Sequence, residues 1–145
     1  MPDASSQGAV FEGRGYIYLA HPVFSSYALH AHEVELELVR ACVGRLLTQP
    51  LVKTTLPGTA EVTVTKQKQR TIVHVLNYVP EHLHKNGDIV TAAQYILGTV
   101  AIAMPRKPTR IYSAPSGGEL AWNWESGYAC CSLPPTLGYA VIVLE

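Results

Sequence analysis

Charged residues are scarce in this chain, and neither sign predominates. They make up 15% of the 145 residues, with 11 Lys and Arg against 11 Asp and Glu. A chain without net charge lacks the basic field that attracts nucleic acid, so nucleic acid is not expected as the main partner. The same neutrality provides little repulsion between copies, which favours self-association.

Long apolar runs are also missing. A membrane-spanning helix needs roughly 20 apolar residues, whereas the best candidate, Ala92–Met104, is shorter and is interrupted by polar residues and glycine. Met1–Gly8 contains neither the basic nor the apolar region of a secretory signal. We therefore expect no membrane partner and a cytoplasmic location.

Cysteines are few and odd in number: Cys42, Cys130 and Cys131. Neighbouring residues of a strand point to opposite faces, so Cys130 and Cys131 are not expected to bond to each other. Three reduced thiols agree with the predicted cytoplasmic location.

Apolar residues, in contrast, are abundant at 48%, enough to bury a core. Glu33–Leu47 is predicted to be an amphipathic helix that ends before Pro50. Glu35 projects into its apolar face, and we interpret it as a first-turn carboxylate that reaches solvent or an N-terminal amide. Before this helix, Gly15–Ala20 is predicted to be a buried strand and Pro22–Ser26 a loop.

After Leu51 the helical periodicity stops and short β-rich runs follow. The longest, Arg70–Val79, is expected to end at Pro80, with a polar loop over Glu81–Asp88. Glu125–Gly127 is expected to close a hairpin. About seven short strands at this spacing predict a mainly β fold, an antiparallel Ig-like β-sandwich preceded by one strand and one amphipathic helix.

This change from helical periodicity to short β-rich runs divides the chain into residues 1–48 and 49–145. One strand and one helix cannot bury a core alone, so the helix must pack on the sandwich, on another copy or on a missing neighbour. The residues predicted to form this interface are Leu36, Val39, Val43 and Leu46.

Histidines suggest a metal site only weakly. His30 with His32, and His82 with His84, form two clusters without a third ligand at a familiar spacing. Unless three of them converge in space, loop and helix-start histidines explain the pattern better, and no metal or cofactor is predicted. His74 lies within a predicted strand, where a half-buried, hydrogen-bonded histidine is expected.

Aromatic residues provide a second candidate site. Trp122 and Trp124 share one face of a predicted strand and, with Tyr128, could form a platform for sugar rings. Packing of both indoles in the sandwich core is the favoured interpretation. Arg106, Lys107 and Arg110 are interpreted as a solvated hairpin tip, because acids elsewhere balance their charge.

Two stretches resemble the C-terminal part of glycoside hydrolases related to the family 42 β-galactosidases. The first is Gly15–Phe24, followed by Tyr27 and His30. The second runs from Arg110–Pro115 through Trp124 and Leu133 to Tyr139–Leu144. The resemblance implies that residues 9–48 are the last strand and helix of an amidotransferase-like trimerisation domain, and that residues 51–145 are the C-terminal β-domain.

In that family the catalytic glutamates lie in a barrel that has no counterpart in this sequence. The resemblance therefore implies no catalytic residue here, and Cys42 inherits no role. We expect a non-catalytic accessory region that serves domain packing or oligomerisation, its partners being a second copy or the remainder of a glycosidase. The alternative is a carbohydrate-binding module that uses Trp122, Trp124 and Tyr128.

Overall fold

The computed structural model describes residues 10–84 and 87–145, with the backbone alone for residues 80–84 and 87–92. Two units are distinguished, Met1–Pro50 (unit 1) and Leu51–Glu145 (unit 2). None of the helices in the described ranges is long and apolar enough to cross a membrane.

Unit 1 contains one hairpin and two helices. The hairpin joins β1 (Val10–Gly13) to the antiparallel β2 (Tyr16–Leu19) through a two-residue turn. The helices α1 (Val23–His30) and α2 (Glu33–Leu46) pack on each other, and α2 also contacts β2. Arg45 Nη2 lies 2.5 Å from Glu12 Oε2 and joins the end of α2 to β1. The predicted helix is confirmed to within one residue at its end.

Two expectations for unit 1 are wrong. The predicted loop over Pro22–Ser26 is the start of α1, whose C-cap, Ala31, is left-handed and donates its backbone N–H to Tyr27 O. A proline just before a helix suits that position because it has no N–H to leave unpaired. The predicted buried strand exists as β2, but Tyr16 and Tyr18 are exposed because no described part of unit 1 covers that face.

Unit 2 is an antiparallel β-sandwich, as predicted. One sheet has the order β3 (Val52–Thr54), β7 (Tyr95–Ala103), β10 (Tyr128–Leu137) and β9 (Trp122–Glu125). The other has the order β4 (Ala60–Gln67), β5 (Arg70–His84), β11 (Tyr139–Leu144) and β8 (Ile111–Ala114), with β6 (Gly87–Ala93) also paired to β5. Fully buried residues from both sheets form the core, including Val73, Val75, Val100, Ile102, Ile142 and Leu144.

The strand that was expected to end at Pro80 continues through it. The pairing of β5 with β6 shifts register between Val79 and Pro80 and again between Glu81 and His84. A bulge accommodates a residue that cannot donate to the ladder. The predicted polar loop over Glu81–Asp88 is therefore wrong, because its described residues belong to two paired strands.

The predicted hairpin at Glu125–Gly127 is confirmed. Trp122–Glu125 pairs with Tyr128–Cys131, and the two residues between the strands, Ser126 and Gly127, have φ values of 50° and 83°. Both central residues of a type I′ turn need positive φ, and the twist of that turn matches that of the strands.

Candidate functional site

Trp122 and Trp124 lie on the inner face of the β3–β7–β10–β9 sheet. They pair with Cys131 and Ala129, both of which are buried in the core. Both indoles are half-buried and pack against that core. The structure thus brings the two tryptophans together, on the side of the sheet that faces the other sheet.

Tyr128 lies on the opposite face. It pairs with Glu125, one position away from the Trp124 pair, and successive residues of a strand alternate between faces. Tyr128 is buried, and Nζ of Lys53 lies 4.2 Å from its ring centroid. The three aromatics therefore do not share one platform.

The basic cluster lies in the connection between β7 and β8, which belong to different sheets. It is a crossover between sheets, so the predicted hairpin tip is wrong. Lys107 Nζ lies 5.7 Å from the ring centroid of Trp122, and Arg110 Nε lies 3.1 Å from Glu119 Oε1. Lys107 and Arg110 thus contact partners that are close to them in the fold.

Histidines do not form a metal centre in the part of the chain that the structure describes. His30 and His32 stack with ring centroids 5.3 Å apart, but no group of three potential ligands is found among the described residues. His82 and His84 lie in β5, and their side chains are outside the described part.

His74 is half-buried and its Nδ1 lies 2.7 Å from the Tyr139 hydroxyl, which confirms the expected hydrogen-bonded sheet histidine.

All three cysteines are free, as expected for Cys130 and Cys131. Burial raises the pKa of the Cys131 thiol to about 11, and the neighbouring Cys130 adds to the effect. Cys131 Sγ donates to Val100 O at 3.6 Å. A thiol held protonated in the core is a poor nucleophile, so Cys131 is a packing residue.

The predicted interface residues lie along α2. Leu36 and Val39 are half-buried, whereas Val43 and Leu46 are exposed. This arrangement leaves the C-terminal half of the predicted face available for contact.

A groove in unit 1 contains the one buried carboxylate among the side chains that the structure describes. Glu35 is 8% exposed. It lines a cavity of about 530 Å³ whose other walls are mostly apolar: Val10, Leu19, His21, Val23, Val34 and Leu38. We call this cavity the Glu35 groove. The expectation that Glu35 reaches solvent or a helix amide is wrong, because its side chain is buried beside residues of the hairpin and α1, and its Oε2 has no hydrogen-bond partner among the described residues.

The carboxylate of Glu35 is poorly satisfied. Oε1 lies 3.8 Å from His21 Nε2, and Oε2 is buried without a hydrogen-bond partner among the described residues. A buried oxygen of this kind is costly, and such atoms occur where a structure has another use for them. The sequence placed Glu35 in an apolar stripe, but nothing in it linked that residue to His21.

No protein-family model and no curated protein matches this chain. Among solved structures, it is similar to α-L-fucosidase isoenzyme 2 from Paenibacillus thiaminolyticus, with 26% sequence identity and a TM-score of 0.83. The match covers 97% of this chain and 23% of that chain. This chain thus resembles part of a glycoside hydrolase, and the matched enzyme is an α-L-fucosidase rather than a β-galactosidase.

Proposed function

We propose that this chain is a non-catalytic accessory region of a glycoside-hydrolase-like protein, in the manner of the C-terminal region of the family 42 type. Its apolar faces in unit 1 would pack against a second copy or against the rest of such a protein. The observation that carries the proposal is the match itself, which covers 97% of this chain but 23% of an α-L-fucosidase.

The two units differ sharply in how much apolar surface they bury, which supports the proposal. Unit 2 has a continuous core of residues from both sheets. Among the described residues of unit 1, Val23 is the one buried hydrophobic residue, while Phe24, Leu29 and Val34 are more than 70% exposed. Exposed apolar surface of this extent is typical of a surface that another polypeptide covers.

The hairpin adds to this argument because both of its faces are apolar. Val10 and Phe11 are successive strand residues, so they point to opposite faces, and both are more than 40% exposed. A strand that is apolar on both faces is typical of a sheet covered on both sides. Unit 1 is thus suited to be one part of a larger layered structure.

A catalytic role finds less support. Glycoside hydrolysis uses two carboxylates about 5 to 9 Å apart. Among the described residues, the ion-pair contact of the buried Glu35 carboxylate is with a histidine, His21, at 3.8 Å. We therefore propose that the chain itself hydrolyses no glycoside and needs no cofactor, and that it acts in the cytoplasm, where its three free thiols would remain reduced.

Sedimentation velocity over a concentration series tests the packing role. We expect self-association at micromolar concentration, weakened at least tenfold by Val43→Asp on the predicted interface. Leu137→Asp is the matched control, because Leu137 is similarly exposed but lies in unit 2. A chain that stays monomeric at all concentrations would count against self-association.

Two further measurements separate the remaining possibilities. An antibody to this domain should detect a band well above 15.8 kDa in source cells if the chain is part of a larger hydrolase. Assays with nitrophenyl α-L-fucoside and nitrophenyl β-D-galactoside should show no turnover. Turnover that Glu35→Gln abolishes would overturn the non-catalytic assignment.

A further inference from the structure

Nearly half of the cations of this neutral chain lie at one end of unit 2. Two cavities of about 490 and 420 Å³ adjoin there, between the turn from β4 to β5 and the connection from β7 to β8. Of the 11 Lys and Arg residues, five line these cavities: Lys66, Lys68, Arg70, Arg106 and Lys107. The one acidic side chain among the described lining residues is Glu145. Positive charge is therefore concentrated at this place, which we call the basic cavities.

Arg70 and Arg106 line both cavities and so connect them. Nε of Arg70 lies 2.6 Å from Glu145 Oε1, which leaves its two Nη groups without an ion pair in the described part of the chain. Arg106 is exposed, and no described carboxylate pairs with it. A guanidinium presents its N–H groups as a fork that fits a carboxylate or a phosphate. Each of the two arginines therefore has donors that an oxyanion can accept from.

The backbone that carries two of these cations is held in place. Arg106 and Lys107 lie between two prolines, whose rings fix φ, and the second of these, Pro108, is buried. The next residue, Thr109, donates both its backbone N–H and its hydroxyl to the backbone oxygen of Glu145. Cations on a connection that is already ordered lose little freedom when a ligand binds.

Lys68 has a backbone conformation that lysine rarely adopts. It is one of the two residues that join β4 to β5, and its φ is 56°. Glycine is the usual residue at such a position, because a Cβ is strained there. Strained backbone of this kind is typical of places where the side chain has a use that outweighs the cost to folding. The ammonium group of Lys68 is thus supplied to the basic cavities by a residue that suits the turn poorly.

The lining of the cavities also limits the kind of anion. No aromatic side chain is found among their described lining residues, so a nucleobase would have no ring to stack on. Their volumes lie in the range of small-molecule sites, about 300 to 1,000 Å³. Because the two cavities adjoin, one small molecule with two oxyanion groups can place a group in each.

We infer that the basic cavities bind a small, non-aromatic polyanion, with one carboxylate or phosphate group in each cavity and Arg70 and Arg106 contacting both groups. The lysines add attraction from the two sides, Lys66 and Lys68 in one cavity and Lys107 in the other. Binding also relieves the mutual repulsion of the five cations. This ligand site goes beyond the proposed packing role and does not depend on it.

Calorimetric titration of the full chain in about 20 mM salt, where screening is weak, tests the inference. Pyrophosphate and tricarballylate are the polyanions, and inorganic phosphate and acetate are the matched single oxyanions. We expect one polyanion to bind about tenfold more tightly than its single counterpart, because two groups are engaged at once. Which of the two binds distinguishes a phosphate ligand from a carboxylate ligand. Arg106→Gln should weaken this binding about tenfold. Arg14→Gln is its control, because it removes the same charge from an exposed arginine of unit 1 and should leave the affinity unchanged.

Lys68→Gly separates ligand binding from folding. Glycine suits the positive φ of the turn, so the variant should be at least as stable as the natural chain in urea, yet it should bind the polyanion several times more weakly. Equal affinities for single oxyanions and polyanions, or equal losses in the Arg106 and Arg14 variants, would show diffuse charge attraction and overturn the inference. Absence of binding in both calorimetry and equilibrium dialysis would overturn it as well. None of these results bears on the proposed packing role, which sedimentation tests separately.

Discussion

Glu35 and His21 line the same groove in unit 1, and Oε1 of Glu35 lies 3.8 Å from Nε2 of His21. The distance is too long for a hydrogen bond, and Oε2 has no partner within the described chain. His21 is largely exposed whereas Glu35 is buried, so solvent screens the attraction between them. The pair therefore contributes little to the stability of unit 1, and the burial of the carboxylate opposes it.

Replacement of Glu35 by Leu should stabilise the isolated unit. The change removes a buried, unpaired carboxylate and adds apolar contact with the groove, which we expect to raise the local free energy of unfolding by about 1 to 2 kcal/mol. Hydrogen exchange of the α2 amides measures this local free energy of unfolding, in solutions dilute enough to keep the chain unassociated. Glu33→Leu, at an exposed position of the same helical turn, is the control and should stabilise nothing. Faster exchange in the Glu35 variant would contradict the prediction.

Gly138 should tolerate no side chain. It joins β10 to β11 with φ of 72°, and a Cβ there would lie 2.8 Å from the Tyr78 hydroxyl and 2.9 Å from Ala93 Cβ. Left-handed backbone costs a non-glycine residue roughly 1 to 2 kcal/mol before any clash. Gly138→Ala should therefore destabilise unit 2 by at least about 2 kcal/mol in urea denaturation.

Gly58→Ala is the matched control for this substitution, because a Cβ there meets nothing within 4 Å. Equal stability of the two variants would show that the connection between β10 and β11 can shift to accept a methyl group.

Stability should fall at alkaline pH through Cys131. Its pKa is raised from the ordinary 9.0 to about 11 by burial, so between these pH values the folded chain keeps a proton that the unfolded chain releases. The contribution of the protonated Cys131 thiol to the free energy of unfolding is therefore complete below pH 9. It is lost as the pH rises towards 11, which lowers that free energy by up to about 2 kcal/mol.

Urea denaturation at pH 8, 9, 10 and 11 measures how the free energy of unfolding changes with pH. Cys131→Ala should lose less stability than the natural chain between pH 9 and 11, whereas Cys42→Ala should follow the natural chain. Parallel loss in all three proteins would show that other groups cause the alkaline effect.

Substitution of the tryptophans should lower the stability of unit 2 rather than abolish sugar binding. Because both indoles pack against the core, Trp124→Ala is expected to cost about 2 kcal/mol of unfolding free energy, less than a fully buried tryptophan would. Tyr95→Ala, an exposed aromatic of unit 2, should cost under about 0.5 kcal/mol.

The chain contains two tryptophans, so its indole emission reports on these residues alone. A panel of oligosaccharides should leave that emission unchanged. A shift on glycan addition, abolished by Trp122→Ala or Trp124→Ala, would favour the carbohydrate-binding alternative instead.

Local sequence signals predicted the regular elements well where periodicity was strong. The apolar stripe of Glu33–Leu46 and the alternation of Val62 and Val64 in β4 both have the period of their element. The helix α1 was missed because its eight residues contain two serines and have little amphipathic character, although Pro22 before it was an available signal. The prediction that the strand ends at Pro80 was wrong because a bulge, which depends on the partner strand, lets β5 continue.

The position of the candidate site was harder to predict, because it depends on contacts between residues far apart in sequence. The two-residue alternation of side chains along a strand is enough to place Trp122 and Trp124 on one face. Only the pairing of β9 with Ala129 and Cys131 of β10 shows that this face is directed to the core. Glu35 could be placed on an apolar helix face from sequence. Its burial beside His21 required the packing of α2 with α1 and β2.

The sequence by itself predicted an amphipathic helix, a β-sandwich and, in residues 1–48, too few regular elements to bury a core of their own. These properties follow from period and composition, which act along the chain. Only the tertiary structure decided which strand edges stay unpaired, which face holds the indoles and where an unsatisfied carboxylate lies. Those properties depend on contacts between residues that are far apart in sequence, because these contacts determine which groups are buried and which are hydrogen-bonded.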